Sequence, residues 1–144
     1  MLIHHVLQRK GADVVTITAD APLTGALSTL AEHNIGAIVV ADDQGAVVGI
    51  ISERDVVRAL AARGPVALQG AVGDLMTSTV TTCDPRSTVD DVMALMTERR
   101  IRHVPVVENG ALTGIVSIGD VVKTRIGELE TERETLHDYL SGRA

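Results

Sequence analysis

The sequence predicts an α/β protein of the α+β kind, built from two β-α-β-β-α repeats that pair, with an extended helix at the C-terminus. Three observations predict it. Residues 14–60 align with residues 80–125; each copy alternates β-branched runs with helix-periodic stretches; and the last apolar periodicity runs on past the second copy.

At an offset of 66, Leu23, Leu27, Leu30, Glu32, Ile35 and Val40 meet Val89, Met93, Met96, Glu98, Ile101 and Val106. One deleted residue later, Gly45, Gly49, Ile50, Ser52, Asp55 and Val56 meet Gly110, Gly114, Ile115, Ser117, Asp120 and Val121. The deletion falls between DDQG and ENG, where a turn can absorb it. A single copy of about 47 residues buries too little surface to stand alone, so pairing is the expected source of stability.

Element by element, HHVLQRKG leads into copy one and VGDLMT into copy two. VVTI is a β-branched run that reads as the first strand; Leu23, Ala26, Leu27 and Leu30 recur at helical spacing, with Gly36 as the stop. In copy two, Ser87 or Thr88 with Asp90 or Asp91 gives a capping signal ahead of the Val89, Val92, Met93, Met96 stripe. AIVVA and HVPVV, then VVGII and LTGIV, read as hairpin strands. The expected division is 1–62 for the first repeat, 63–71 for a small, turn-rich linker, 72–126 for the second repeat and 127–144 for a helical tail. In that tail Val122, Ile126, Leu129, Arg133, Leu136 and Leu140 follow a heptad seam interrupted only by Arg133. Two readings stay open there: an amphipathic helix packed on its own domain, or a self-association helix.

Composition narrows the function. With 13 basic and 19 acidic residues the net charge is −6, so no global positive field attracts nucleic acid or an anionic membrane. Phe and Trp are absent and Tyr139 is alone, which closes base stacking on aromatic platforms. No apolar run approaches a membrane span, and a cytoplasmic location is expected. The single cysteine, Cys83, reads as a structural thiol. Dinucleotide, P-loop, zincin and nucleophile-elbow motifs are missing, the five histidines lack metal-ligand spacing, and no nucleophile–base pair suggests catalysis.

The chemistry that remains sits in GIISERD and GIVSIGD, where a strand passes into a helix. Ser52 with Asp55 and Ser117 with Asp120 are capping-box patterns, worth about 1 kcal/mol each as caps alone. The same geometry also offers a hydroxyl and free N–H groups to phosphate, and a carboxylate to ribose hydroxyls. Arg54 stands in a first helical turn, where the dipole disfavours a cation, which invites a bound anion. Copy two has Ile118 and Gly119 there and carries its cations at Arg102 and His103, where copy one has Gly36 and Ala37. Arg58 and Lys123, one turn beyond each Asp, either reach the same anion or belong to a solvated face.

Two such repeats, with RHVPVV and G-x-x-S-x-x-D in place and VGDLMT as a lead segment, resemble a tandem cystathionine β-synthase (CBS) domain pair over residues 1 to about 126. The resemblance implies a pseudo-two-fold pair with two clefts for adenosine-containing ligands: AMP, ADP, ATP, S-adenosylmethionine or NAD(H). By the same resemblance Asp55 and Asp120 take ribose hydroxyls, Ser52 and Ser117 meet phosphate, the backbone around Thr16, Ile38, Thr82 and Val104 lines adenine, and Arg54, Arg102 and His103 face phosphate. It further implies a stand-alone, non-enzymatic regulatory module that works as a homodimer on an unidentified regulated protein. Gly36 and Ala37 depart from the basic pair of copy two, so the two clefts are expected to differ. The alternative is a structural or oligomerisation adaptor in which the Ser and Asp pairs only cap helices.

Overall fold

The computed structural model describes residues 1–142. In chain order its elements are α1 (Ile3–Lys10), β1 (Thr16–Ile17), α2 (Leu23–His33), β2 (Ala37–Ala41), β3 (Val47–Ser52), α3 (Glu53–Arg63), a 3-10 helix (Gly64–Gln69), α4 (Val72–Leu75), α5 (Val89–Arg99), β4 (His103–Glu108), β5 (Ala111–Ser117) and α6 (Ile118–Leu140). The chain divides into two units, each with its own apolar core. One comprises Asp13–Thr82 with Val107–Thr113; the other comprises Met1–Ala12, Cys83–Val106 and Gly114 onward.

In the Asp13–Thr82 unit, β2 is central. It pairs in parallel with β1 (Thr16 with Val39) and antiparallel with β3 (Ile38 with Ile51, Val40 with Gly49). All five residues of AIVVA are buried, which is why the run does not alternate. Leu23, Ala26 and Leu30 of α2 close the core over Ile38, Val40, Ile51 and Val56. The helix stops earlier than Gly36: Asn34 adopts the left-handed cap (φ 51°), a conformation Asn tolerates through its short polar side chain. The linker is ordered, with Ala67 buried in the 3-10 helix.

The expected turn difference between copies is real. In copy one Asp42 Oδ1 accepts the N–H groups of Gln44 and Ala46, both at 2.9 Å, and Gly45 takes φ 79°. In copy two Asn109 (φ 53°) and Gly110 (φ 79°) form a two-residue turn, so the deleted residue is absorbed by a change of turn type.

In the other unit Val89, Val92 and Met96 of α5 pack with Val104, Val106, Val116 and Val121. Thr88 caps α5, accepting the Asp91 N–H at 3.0 Å. The first strand expected in copy two is reduced to a single parallel bridge, Cys83 with Val106. Pro105, whose carbonyl accepts the Cys83 N–H at 3.0 Å, has no N–H to extend the ladder. The turn closed by Ser87 N–H on the Asp84 carbonyl then leads the chain away.

The lead helices are exchanged. Ile3, Val6 and Leu7 of α1, which precede copy one, are buried in the core of copy two; Val72 of α4, which precedes copy two, is buried in the core of copy one. Each repeat therefore completes its core with a helix that the sequence attaches to the other.

The tail is a continuation of α6, as the periodicity predicts, but its seam does not pack on its own unit. Val121 and Thr124 are the buried positions, whereas Ile126 (51%), Leu129 (47%), Leu136 (59%) and Leu140 (74%) are exposed. Among the described residues no helix is long and apolar enough to cross a membrane.

Candidate functional site

Both predicted capping boxes are formed. Ser52 ends β3 in an extended conformation and caps α3: its hydroxyl accepts the Asp55 N–H at 3.3 Å, while Asp55 Oδ2 accepts the Ser52 N–H at 2.8 Å and its hydroxyl at 3.0 Å. Ser117 does the same for α6, with the Asp120 N–H donating to its hydroxyl at 3.2 Å and the Ser117 N–H donating to Asp120 Oδ2 at 2.8 Å. The next residue in each copy is anchored alike: the Glu53 N–H donates to the Gly36 carbonyl at 3.0 Å and the Ile118 N–H to the Arg102 carbonyl at 2.8 Å. Gly36 and Arg102 thus occupy matching places, as the alignment predicts.

The glycines of G-x-x-S-x-x-D serve a close approach of chain segments. Neither adopts a positive φ; what each needs is the absence of a side chain. A Cβ on Gly49 would collide with the Met76 sulfur and lie 3.1 Å from the Thr77 carbonyl oxygen, and one on Gly114 would lie 2.7 and 2.8 Å from the two methyls of Leu7. Each exchanged lead segment presses on the glycine and so reaches the start of the following helix.

Two residues that sequence reasoning missed arrive by this route. Thr77 donates its hydroxyl to Asp55 Oδ1 at 3.0 Å. Lys10 donates to Asp120 Oδ2 at 2.6 Å and to the Ile115 carbonyl at 2.9 Å. Burial acts to raise the Asp120 pKa, but the Lys10 ammonium and the Ser117 donors outweigh it and hold the carboxyl below its ordinary value. A cation at the C-terminal end of α1 is favoured by the helix dipole alone, so nothing in the sequence marked Lys10 as a partner of Asp120.

The remaining predicted residues are distributed between the units. Thr16, Ile38, Ser52, Arg54, Asp55, Arg58 and Thr82 belong to one; Arg102, His103, Val104, Ser117, Asp120 and Lys123 belong to the other. Ile38 and Val104 are fully buried, so only their backbone could meet a ligand. Arg54 and Arg58 lie on the exposed face of α3, and Lys123 is exposed on α6. Thr82 lines a cleft of about 280 Å³ with Ala46, Val47, Ser78, Val80, Val107 and Gly110; the Ser52–Asp55 pair is not part of that lining.

Two repeats, βαββα in the first and αββα behind a single bridge in the second, each ending in a Ser–Asp capped helix beside a glycine under a lead segment, define a paired regulatory-module fold. The CBS domain profile matches residues 6–62 and 72–127, and the chain belongs to the CBS domain family as a tandem pair. It is similar to the CBS-domain-containing protein ATU1752 from Agrobacterium tumefaciens, with 51% identity, a TM-score of 0.84, and coverage of 86% of this chain and 92% of that one. The mitochondrial CBS domain-containing protein CBSX3 of Arabidopsis thaliana is 36% identical over 97% of this chain and 72% of its own length. The CBS domain pair of protein MJ0100, solved in complex with methylthioadenosine and S-adenosyl-L-methionine, is 28% identical with a TM-score of 0.79, covering 89% of this chain and 98% of that one.

Proposed function

We propose that the chain is a non-enzymatic sensor of adenosine-containing nucleotides, AMP, ADP, ATP or NAD(H), with Asp55 and Asp120 as ribose acceptors and Ser52 and Ser117 near phosphate. The observation that carries this reading is the pair of matching strand-to-helix junctions, each presenting a carboxylate and a hydroxyl at a helix N-terminus. The adenosine-type ligands bound by a similar CBS pair support the ligand class. Thr16, Ile38, Thr82 and Val104 would contribute backbone to adenine, and Arg54, Arg58, Arg102, His103 and Lys123 positive charge to phosphate. Signalling would be a ligand-dependent shift between two states of the repeats 1–62 and 72–126, read by a regulated protein. The module would work as a homodimer in the cytoplasm, a setting that suits its lone cysteine.

Thermal shift with AMP, ADP, ATP, NAD+, NADH and S-adenosylmethionine tests the reading. A ligand at 100 times its Kd adds about 2.7 kcal/mol to stability. Asp55→Asn and Asp120→Asn should each lower the affinity at one site. An absence of binding by all six below millimolar concentration sinks the proposal.

A second reading, a structural adaptor, is favoured by one observation: each box is closed by its own chain, with Thr77 and Lys10 occupying carboxylate oxygens. Under that reading the Asn variants change stability by a fraction of a kcal/mol and no nucleotide affinity exists to be lost.

A further inference from the structure

We propose that the projecting part of α6 forms a parallel, in-register, two-stranded coiled coil with a second copy of this chain. From residue 129 to residue 142 every position is exposed, so the last twelve residues of α6, 129–140, are left uncovered by the described chain. A free helix of that length is marginal in water, and an amphipathic one reaches stability by covering its apolar face. That face is the seam: Val122, Leu129 and Leu136 fall at d positions, and Ile126, Arg133 and Leu140 at a positions.

The charges beside the seam choose the occupant and its direction. The g positions hold Arg125, Glu132 and Tyr139, and the e positions hold Lys123, Glu130 and His137. In a parallel pair each g residue meets the partner's e residue five positions on, which places Arg125 by the partner's Glu130 and Glu132 by the partner's His137. Arg125 already pairs with Asp90 and Glu128 in its own chain, at 3.4 and 3.1 Å, so the direction rests chiefly on the Glu–Glu pairs that the opposite orientation would create. Arg133 at its a position faces the partner's Arg133 across the seam, a layer that weakens the coil, with the partner's Glu132 beside each guanidinium as a counter-charge. An antiparallel pair with the same overlap reverses this. It sets Glu130 against the partner's Glu130, Glu132 against the partner's Glu132 and Lys123 against the partner's His137. Sliding it by one heptad relieves these clashes but leaves Val122 and Ile126 uncovered. A second copy running in the same direction is the arrangement that matches every layer without a like-charge contact at e and g.

Single cysteines in the full chain test both occupant and direction. In a Cys83→Ser background, Leu129→Cys and Leu136→Cys are each expected to yield a disulfide-linked dimer on mild oxidation, because like positions face each other. Sedimentation of the reduced chain should give twice the monomer mass. Arg133→Leu should tighten the dimer at least tenfold, a gain that a folding defect cannot imitate. A monomer at 100 µM overturns the proposal, on the order of the concentration at which a weak coil would still assemble. So does a dimer that cross-links at neither position, or one that cross-links only when Leu129→Cys is mixed with Leu136→Cys.

Discussion

Lys10 Nζ lies 2.6 Å from Asp120 Oδ2, whereas the matching carboxylate, Asp55, receives the neutral Thr77 hydroxyl at 3.0 Å. Two boxes of the same design thus carry different charge. The pair matters to acid stability because Lys10 and Ser117 hold the Asp120 carboxyl below its ordinary value against the opposing effect of burial. With a depressed folded pKa, the contribution of Asp120 is complete above its unfolded value of about 3.9 and is lost as pH falls through the folded one. Lys10→Met should cost about 0.5–1 kcal/mol at pH 7, since both side chains keep some exposure. It should also move the acid loss to higher pH. Urea midpoints from pH 2.5 to 7 check this, and coincident profiles for the two proteins would refute it.

Gly114 and Leu7 are expected to behave as a coupled pair. Gly114→Ala forces a methyl against a buried leucine and should cost about 1–3 kcal/mol, while Leu7→Ala should cost about 2–4 kcal/mol by leaving a cavity. The double variant should be more stable than the sum of the two losses implies, by at least about 0.5 kcal/mol. Denaturant titration of the four proteins gives the coupling, and strict additivity would mean that the contact is unimportant.

Burial pushes the Cys83 thiol up to about 11, with Asp84 adding to the shift. At pH 7.5 its thiolate is then on the order of 300-fold scarcer than that of a free cysteine. Iodoacetamide should label the native protein at least tenfold more slowly than the urea-unfolded chain. Comparable rates in the two states would contradict the burial described above.

Two glycines should respond to alanine with opposite signs. Gly127 lies within α6 with open space where a Cβ would stand, so Gly127→Ala should stabilise by about 0.5–1 kcal/mol. Gly110 sits at φ 79° in the hairpin turn, and Gly110→Ala should destabilise by about 1 kcal/mol. Melting temperatures of the two variants suffice to test the pair.

Much of this architecture was legible in the residues because it rests on local rules. The repeat, both Ser–Asp boxes, the absorbed deletion and the unbroken tail helix follow from spacing and turn chemistry. What the residues did not disclose depends on contacts made at a distance. Periodicity shows that HHVLQRKG has an apolar face but not which core it covers, so the exchange of α1 and α4 was not legible, and with it went Lys10, Thr77 and the reason for Gly49 and Gly114. The shortened first strand of copy two was hidden because its limit lies on the opposite strand, at Pro105. The stop at Asn34 was missed because a nearby glycine looked sufficient.

The exchange of lead helices has a consequence for the order in which the chain can fold. Ile3, Val6 and Leu7 precede both repeats in the chain, yet the residues they cover stretch to Val121, and the Lys10 contact spans 110 positions. During synthesis α1 therefore waits with its apolar face uncovered while the intervening unit assembles, and the slowest loop to close is the one that joins α1 to α6. A chain cut in the linker would leave that face bare and deprive the remaining half of a third of the helices in its core. The two repeats are separable as an alignment but not as pieces.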